Sequence, residues 1–273
     1  MEFEELLNEY NNGNLSINEL KRHITSFYIH NVGKNIAKLD INRRIRKGIP
    51  EVIFAANKDY SDITKIISDI LGKNKTIVIS KIQKKHIRKI IDFVKRKNLY
   101  FEIGKSSSTM LLSTIATIKC HSYKIGIISG GTSDIGIAEE ARLMAKAMNC
   151  ESIISYDIGI AGIHRVFPTL EKMMSENVQA IVVVAGMEGA LASLVSSCVN
   201  VPVIGVPTSV GYGFGSHGIA ALSSMLQSCA LGLTVVNIDN GIGAGSYAAL
   251  IANRMSNIEK ISNKSGNLSI KRL

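Results

Sequence analysis

The chain has 273 residues, 46% of them hydrophobic, which is enough for one large or two ordinary domains with a substantial core and excludes a disordered polymer. Its start, Met1 to Leu6, is acidic and amphipathic rather than basic and then apolar, so no signal peptide is expected. The formal net charge of +10 is uneven: residues 1–120 carry 22 basic and 12 acidic side chains, residues 121–253 carry 5 and 9, and residues 254–273 carry 5 and 1.

A basic first half suits nucleic acid, an anionic small molecule or a solvated surface. Lys84-Lys85, Arg88-Lys89 and Lys95-Arg96-Lys97 recur at helical spacing with few aromatics between them, which favours the solvated surface over nucleic acid. Apolar runs such as Ala180 to Ala185 are too short to span a bilayer, so no membrane partner and a cytoplasmic location are expected. Cys120, Cys150, Cys198 and Cys229 show no CxxC spacing, so neither a zinc site nor a disulfide framework is expected.

In chain order, residues 1–25 read as two short helices parted by Asn11-Asn12-Gly13-Asn14, the second opened by a capping box of Ser16 and Glu19. The basic segment from Asp40 to Lys47 leads through Gly48 and Pro50 into a strand near Phe54. A helix from Ser61 to Leu71, a strand from Thr76 to Ser80, a helix from Gln83 to Lys97 and a strand from Tyr100 to Ile103 complete a small α/β unit. Ser106-Ser107-Ser108 reads as loop, and this amino-terminal domain is expected over residues 1–119.

From Tyr123 the pattern changes. Five apolar runs are expected as strands: Lys124–Ser129, Ser152–Tyr156, Ala180–Ala185, Val201–Val206 and Leu233–Ile238. They do not alternate with polar residues, as befits strands covered on both faces. Helices are expected between them, near Ile135–Met148, Pro168–Glu176, Gly189–Ser197, His217–Cys229 and Gly243–Asn253. Such alternation predicts an α/β fold, a doubly wound parallel sheet over residues 120–255, with ligands at the carboxyl ends of its strands. A basic tail, residues 256–273, follows.

The strand ends carry the candidate site. Gly130-Gly131-Thr132-Ser133-Asp134 opens a helix, where glycines, hydroxyls and amide groups hold phosphate, or where Ser133 or Asp134 only caps the helix. Asp134 would repel phosphate and suits a ribose hydroxyl or a metal. Asp157, His164 and Arg165 could bring an acid, an imidazole and a guanidinium to a ligand. In Ala185-Gly186-Met187-Glu188-Gly189 a buried carboxylate of raised pKa would serve as acid or base, or only favour the helix dipole. The stretch from Gly205 to Gly218, rich in glycine and aromatics, covers a ligand, meets another subunit or is only a flexible loop. Cys229 ends an apolar helix before Asn237-Ile238-Asp239-Asn240-Gly241 and reads either as core or as a nucleophile, with Cys198 nearly as good.

Together, Gly130 to Asp134, His164-Arg165, Ala185 to Gly189, Pro202 to Pro207 and Cys229 to Gly245 resemble the aminoimidazole ribonucleotide carboxylase superfamily. Within it they are most similar to the LarB family of nickel-pincer cofactor biosynthesis. The resemblance is close over residues 121–253, and the segment Asp40 to Phe54 is also similar to that family. It implies a three-layer carboxylase-like fold preceded by a smaller α/β domain, and an octameric homo-oligomer. The purine enzymes carry a proton-shuttling histidine in the third loop; this chain has Glu188 there and Ala192 near the histidine's place, which argues against purine-type mutase activity.

The implied activity is that of a pyridinium-3,5-biscarboxylic acid mononucleotide synthase. Such an enzyme carboxylates nicotinic acid adenine dinucleotide with carbon dioxide or bicarbonate and hydrolyses its phosphoanhydride to release AMP. The resemblance makes Cys229 the nucleophile and Glu188 the base, with His164 or Asp157 as helpers. Gly130, Gly131, Thr132, Ser133, Asp134, Arg165, Gly186, Met187, Asn237 and Asp239 would hold the substrate. Magnesium, bridged by substrate oxygens, would neutralise the pyrophosphate. The alternatives are an aminoimidazole ribonucleotide carboxylase of purine synthesis and a non-enzymatic nucleotide-binding protein.

Overall fold

The computed structural model describes residues 3–25, 29–33, 36–40, 42–72, 75–116, 118–120 and 123–269, with side chains in the last helix described to Ser256. The chain divides into two compact units, Met1–Ile103 with Ser108–Thr117, and Gly104–Ser107 with Ile118–Leu273.

The first unit opens with helices α1 (Phe3–Asn11) and α2 (Ile17–Thr25). The Ser16 amide donates to Glu19 Oε2 at 2.9 Å and the Glu19 amide to Ser16 Oγ at 3.3 Å, the reciprocal cap expected from the sequence. An antiparallel pair, β1 (Ile29–Val32) and β2 (Ala37–Asp40), precedes the short helix α3 (Arg43–Lys47), where the Asp40 carboxylate pairs with Arg46. Then come β3 (Val52–Phe54), α4 (Tyr60–Leu71), β4 (Thr76–Ser80), α5 (Lys84–Arg96), β5 (Tyr100–Ile103) and β6 (Met110–Ser113). The sheet order is β3-β4-β6-β5, with β3 parallel to β4 and the other pairs antiparallel. The strand β6 was not expected: Met110-Leu111-Leu112 is a run of only three apolar residues before Ser113, too short for its periodicity to separate strand from helix. Its four residues are all buried, Met110 and Leu112 in a core shared with Ile63, Ile67, Ile77 and Ile90.

The second unit alternates strand and helix. It contains β7 (Lys124–Ser129), α6 (Ile135–Ala147), β8 (Glu151–Ser155), α7 (Val166–Ser175), β9 (Val178–Ala185), α8 (Ala190–Cys198), β10 (Val203–Pro207), α9 (Ile219–Leu226), β11 (Leu233–Val235) and α10 (Gly241–Ser269). All five strands are parallel, in the order β11-β10-β9-β7-β8. Alternate residues of β9 face opposite sides. Ile181 and Val183 pack with Leu170, Leu191 and Met225 from α7, α8 and α9, while α6 and α10 cover the other face. This is the doubly wound parallel sheet expected from the apolar runs, in the three-layer form that the family resemblance implies.

Most strand and helix ends shift by a few residues from expectation, β11 being shortened to Leu233–Val235, and two shifts bear on the site and the tail. The ninth helix stops at Leu226, so Cys229 lies in the loop before β11 rather than on the helix. The last helix continues past Asn253 to Ser269, through the expected basic tail; residues 270–273 of that tail lie outside the described residues.

Helices α6 and α10 approach through small residues, with Ala138, Ala141, Ala145, Ala244, Ala248 and Ala252 fully buried. A Cβ on Gly245 would stand 2.7 Å from Ala141 Cα, against backbone that cannot move aside. Gly245→Ala is therefore expected to lower unfolding free energy by about 1–3 kcal/mol, overpacking outweighing the helix propensity gained. Urea unfolding measures it, and an unchanged or higher midpoint at equal slope would count against this packing.

Candidate active site

In a sheet ordered this way the connections after β7 and β9 leave in opposite directions, and a crevice opens between them at their carboxyl ends. A cavity of about 450 Å³ lies there, in the size range of small-molecule sites. Gly130, Gly131, Thr132, Ser133 and Asp134 come to it from β7, Asp157 from β8, and Gly186, Met187 and Glu188 from β9. Thus nine of the fourteen residues singled out in the sequence line one cavity, with Gly159, Ala161, Leu191 and Val210 beside them. Those last four carry no chemical signal in the sequence, since only the fold brings them to the rim.

Three carboxylates line this cavity and no basic side chain does. Asp134 is 4% exposed, and each of its oxygens is engaged by the chain itself. Oδ2 accepts the Gly131 amide at 2.9 Å and Oδ1 accepts the Thr208 hydroxyl at 2.7 Å. Burial pushes its pKa above the ordinary carboxylate range. The hydroxyl of Thr208 and the amides of Gly131 and Gly186 pull the other way, and the negative field of Asp239 adds to the rise.

Asp157 adopts a positive φ of 58°, its amide bonded to Ser129 Oγ at 3.2 Å, and its half-exposed carboxylate pairs with Arg165 Nη1 at 3.2 Å. Arg165 and His164 belong to the turn Ile160–Arg165, outside the cavity lining, and His164 is exposed. Glu188 is exposed, whereas burial was expected. Met187 and Gly189 on either side both have positive φ, 54° and 66°, so Glu188 sits at the tip of a tight turn.

Asn237 and Asp239 also reach the carboxyl rim, beyond β11, but neither lines the cavity. Asn237 Oδ1 accepts the amide of Ile238, and Asp239 Oδ1 accepts the amide of Ser209 at 2.8 Å. Among the described residues no three of His, Cys, Asp and Glu gather as metal ligands, so the side chains present do not form a metal cage.

Cys229 is exposed, which disposes of the core reading; Cys150 is the buried thiol, its pKa pushed up to about 12 by burial. Topology places Cys229 away from the cavity of its own chain. It precedes β11, which pairs in parallel with β10, so it lies at the amino ends of the strands, while the cavity opens at the carboxyl ends. Its loop is tied there by the Ser228 hydroxyl, 2.8 Å from that of Ser193, and by the Leu231 carbonyl, which accepts Ser196 Oγ at 3.0 Å.

Comparison with known proteins agrees with this architecture. A family model described as AIR carboxylase matches residues 124–267, and one described as the LarB/PurE-like N-terminal domain matches residues 29–110. An uncharacterized protein of Methanocaldococcus jannaschii is 43% identical over 254 residues, covering 92% of this chain and 97% of that protein. Two proteins named N5-carboxyaminoimidazole ribonucleotide mutase are similar over 47% of this chain. The one from Thermotoga maritima is 29% identical over 74% of its length, and the one from M. jannaschii 30% identical over 75% of its length. No described helix is long and apolar enough to cross a membrane.

Proposed function

The chain belongs to the AIR carboxylase superfamily, in its LarB branch, and from that premise we propose that it is a cytoplasmic pyridinium-3,5-biscarboxylic acid mononucleotide synthase. Its substrates in this reading are nicotinic acid adenine dinucleotide and carbon dioxide or bicarbonate. The observation that carries it is the charge of the cavity: Asp134, Asp157 and Glu188 with no basic side chain suit a cationic pyridinium better than a neutral aminoimidazole.

The chemistry explains why a thiol is needed. The pyridinium carbon at position 5 is too electron-poor to attack carbon dioxide. Sulfur of Cys229 adds at position 6, and the ring becomes an enamine whose position 5 is nucleophilic. That carbon forms the new C–C bond, Glu188 removes the ring proton from it, and the electron pair expels sulfur as aromaticity returns. Asp157 or His164 could assist the proton transfers. The hydroxyls of Thr132 and Ser133, with the helix start that follows them, suit a phosphate, and Arg165 is the nearby guanidinium. Magnesium, when bound with the substrate, would supply positive charge to offset that of the pyrophosphate.

Because Cys229 and the cavity occupy opposite rims of one sheet, the reading requires a homo-oligomer in which the Cys229 loop of one copy meets the cavity of another. Neither nucleic acid nor a membrane is a partner in this reading.

The purine alternative draws support from the two mutase relatives. One experiment separates the readings: purified protein is given labelled bicarbonate with either nicotinic acid adenine dinucleotide or aminoimidazole ribonucleotide. Label in a pyridine mononucleotide, with AMP released in equal amount, is expected. Label in the imidazole product alone would replace this function by the purine one. Salt-sensitive binding without turnover of either would leave a nucleotide-binding protein.

A further inference from the structure

One buried side chain connects the loops that form the cavity floor without itself lining the cavity. Thr208, fully buried directly after β10, donates its hydroxyl to Asp134 Oδ1 at 2.7 Å. The same carboxylate takes the amide of Gly131, after β7, at 2.9 Å, and the amide of Gly186, after β9, lowers its pKa. Donors that follow two of the central strands, β7 and β10, thus meet on one carboxylate, beside the loop after β9. The packing is tight: a Cβ on Gly186 would stand 2.7 Å from Thr208 Oγ1, so the glycine leaves the space the hydroxyl occupies.

We infer that Thr208 is a positioning residue of the active site, holding the Asp134 carboxylate so that the loops after β7 and β9 keep the spacing that receives the substrate. The inference rests on the function proposed above for its substrate but not for its geometry. A carboxylate offers about four acceptor positions. The chain fills two of them, from Gly131 and Thr208, and the hydroxyl of Thr208 fixes which way the others point. Thr208→Val keeps the side-chain volume and leaves Oδ1 buried without its donor, so the carboxylate turns towards its other partners or loses its fixed orientation. Thr208→Ser keeps the donor. Besides Thr208 and the two amides, Asp239 is the charged group that Asp134 feels.

The test compares the wild type, Thr208→Val and Thr208→Ser by amide hydrogen exchange, by urea unfolding and by steady-state kinetics with nicotinic acid adenine dinucleotide. Thr208→Val is expected to speed exchange at Gly131 and Gly186 about tenfold relative to amides of β9, as loss of a charge-assisted hydrogen bond implies. It is also expected to raise KM about tenfold with a smaller change in kcat, and Thr208→Ser to restore both. A lowered unfolding midpoint with local exchange and KM equal to those of Thr208→Ser would overturn the inference, leaving Thr208 a stabilising contact only. If the wild type neither binds nor turns over the dinucleotide, the proposed function fails by itself. The exchange comparison then decides the positioning role: faster exchange at the two glycines supports it, and unchanged exchange overturns it.

Discussion

Cys229→Ser is expected to lower carboxylation by at least about 10³-fold, because without an addition at position 6 the pyridinium ring offers no nucleophilic carbon at position 5. Cys198→Ala should keep most of the activity. Both thiols are exposed, and both lie at the amino-terminal rim of the sheet, Cys198 ending α8 and Cys229 preceding β11. Their comparison therefore tests the assigned role rather than exposure of sulfur. Labelled bicarbonate incorporation measures the loss, and intact-protein mass spectrometry with the dinucleotide should find an adduct on the Cys229 peptide. Activity in Cys229→Ser equal to wild type would remove the thiol from the mechanism.

The position of Cys229 adds a second arm to this experiment. Its loop and the cavity lie at opposite ends of parallel strands, so the proposed site joins two copies. A Cys229→Ser chain still offers an intact cavity, and a Glu188→Gln chain still offers its thiol. Random mixing of the two inactive variants should then restore activity to about a quarter of the sites, where the intact halves meet. Mixed oligomers, verified by mass, that stay inactive would show that the thiol and cavity do not meet across copies.

The sheet of the second unit was legible because its central strands β7, β9 and β10 are largely apolar and buried, and the loops between the strands are marked by glycine. The strands expected at Lys124–Ser129 and Leu233–Ile238 form, the first with the same limits and the second shortened to Leu233–Val235. The loops after β7 and β9 were legible for the same reason, since fold and glycine pattern both place them at the carboxyl rim. What stayed hidden depends on contacts distant in sequence. Thr208 and Asp134 are 74 residues apart, so nothing local marks the threonine as the aspartate's partner. The end of α9 at Leu226 has no local mark, because Gln227-Ser228-Cys229-Ala230 contains no glycine or proline, and it is Gly232, with a positive φ of 91°, that marks the turn into β11. Three residues of helix decide whether Cys229 faces its neighbours on a helix or stands on an exposed loop.

Glu188→Gln is expected to cost about 10²–10⁴-fold in kcat, the range for loss of a general base, with little change in KM for the dinucleotide. The amide keeps the shape of the side chain at the tip of the Met187–Gly189 turn, so cavity geometry and the positive φ angles on either side are preserved. What is lost is the ability to take the ring proton after carboxylation. Adduct formation at Cys229 precedes that step, so the sulfur adduct should still form in Glu188→Gln and should accumulate, whereas Cys229→Ser yields no adduct. Asp157→Asn provides the contrast: it breaks the pair with Arg165, held at 3.2 Å, and should act mainly through binding. If Asp157→Asn instead gave the larger fall in kcat and Glu188→Gln stayed near wild type, the base would be Asp157, and Glu188 would be an exposed turn residue at the N-terminus of α8.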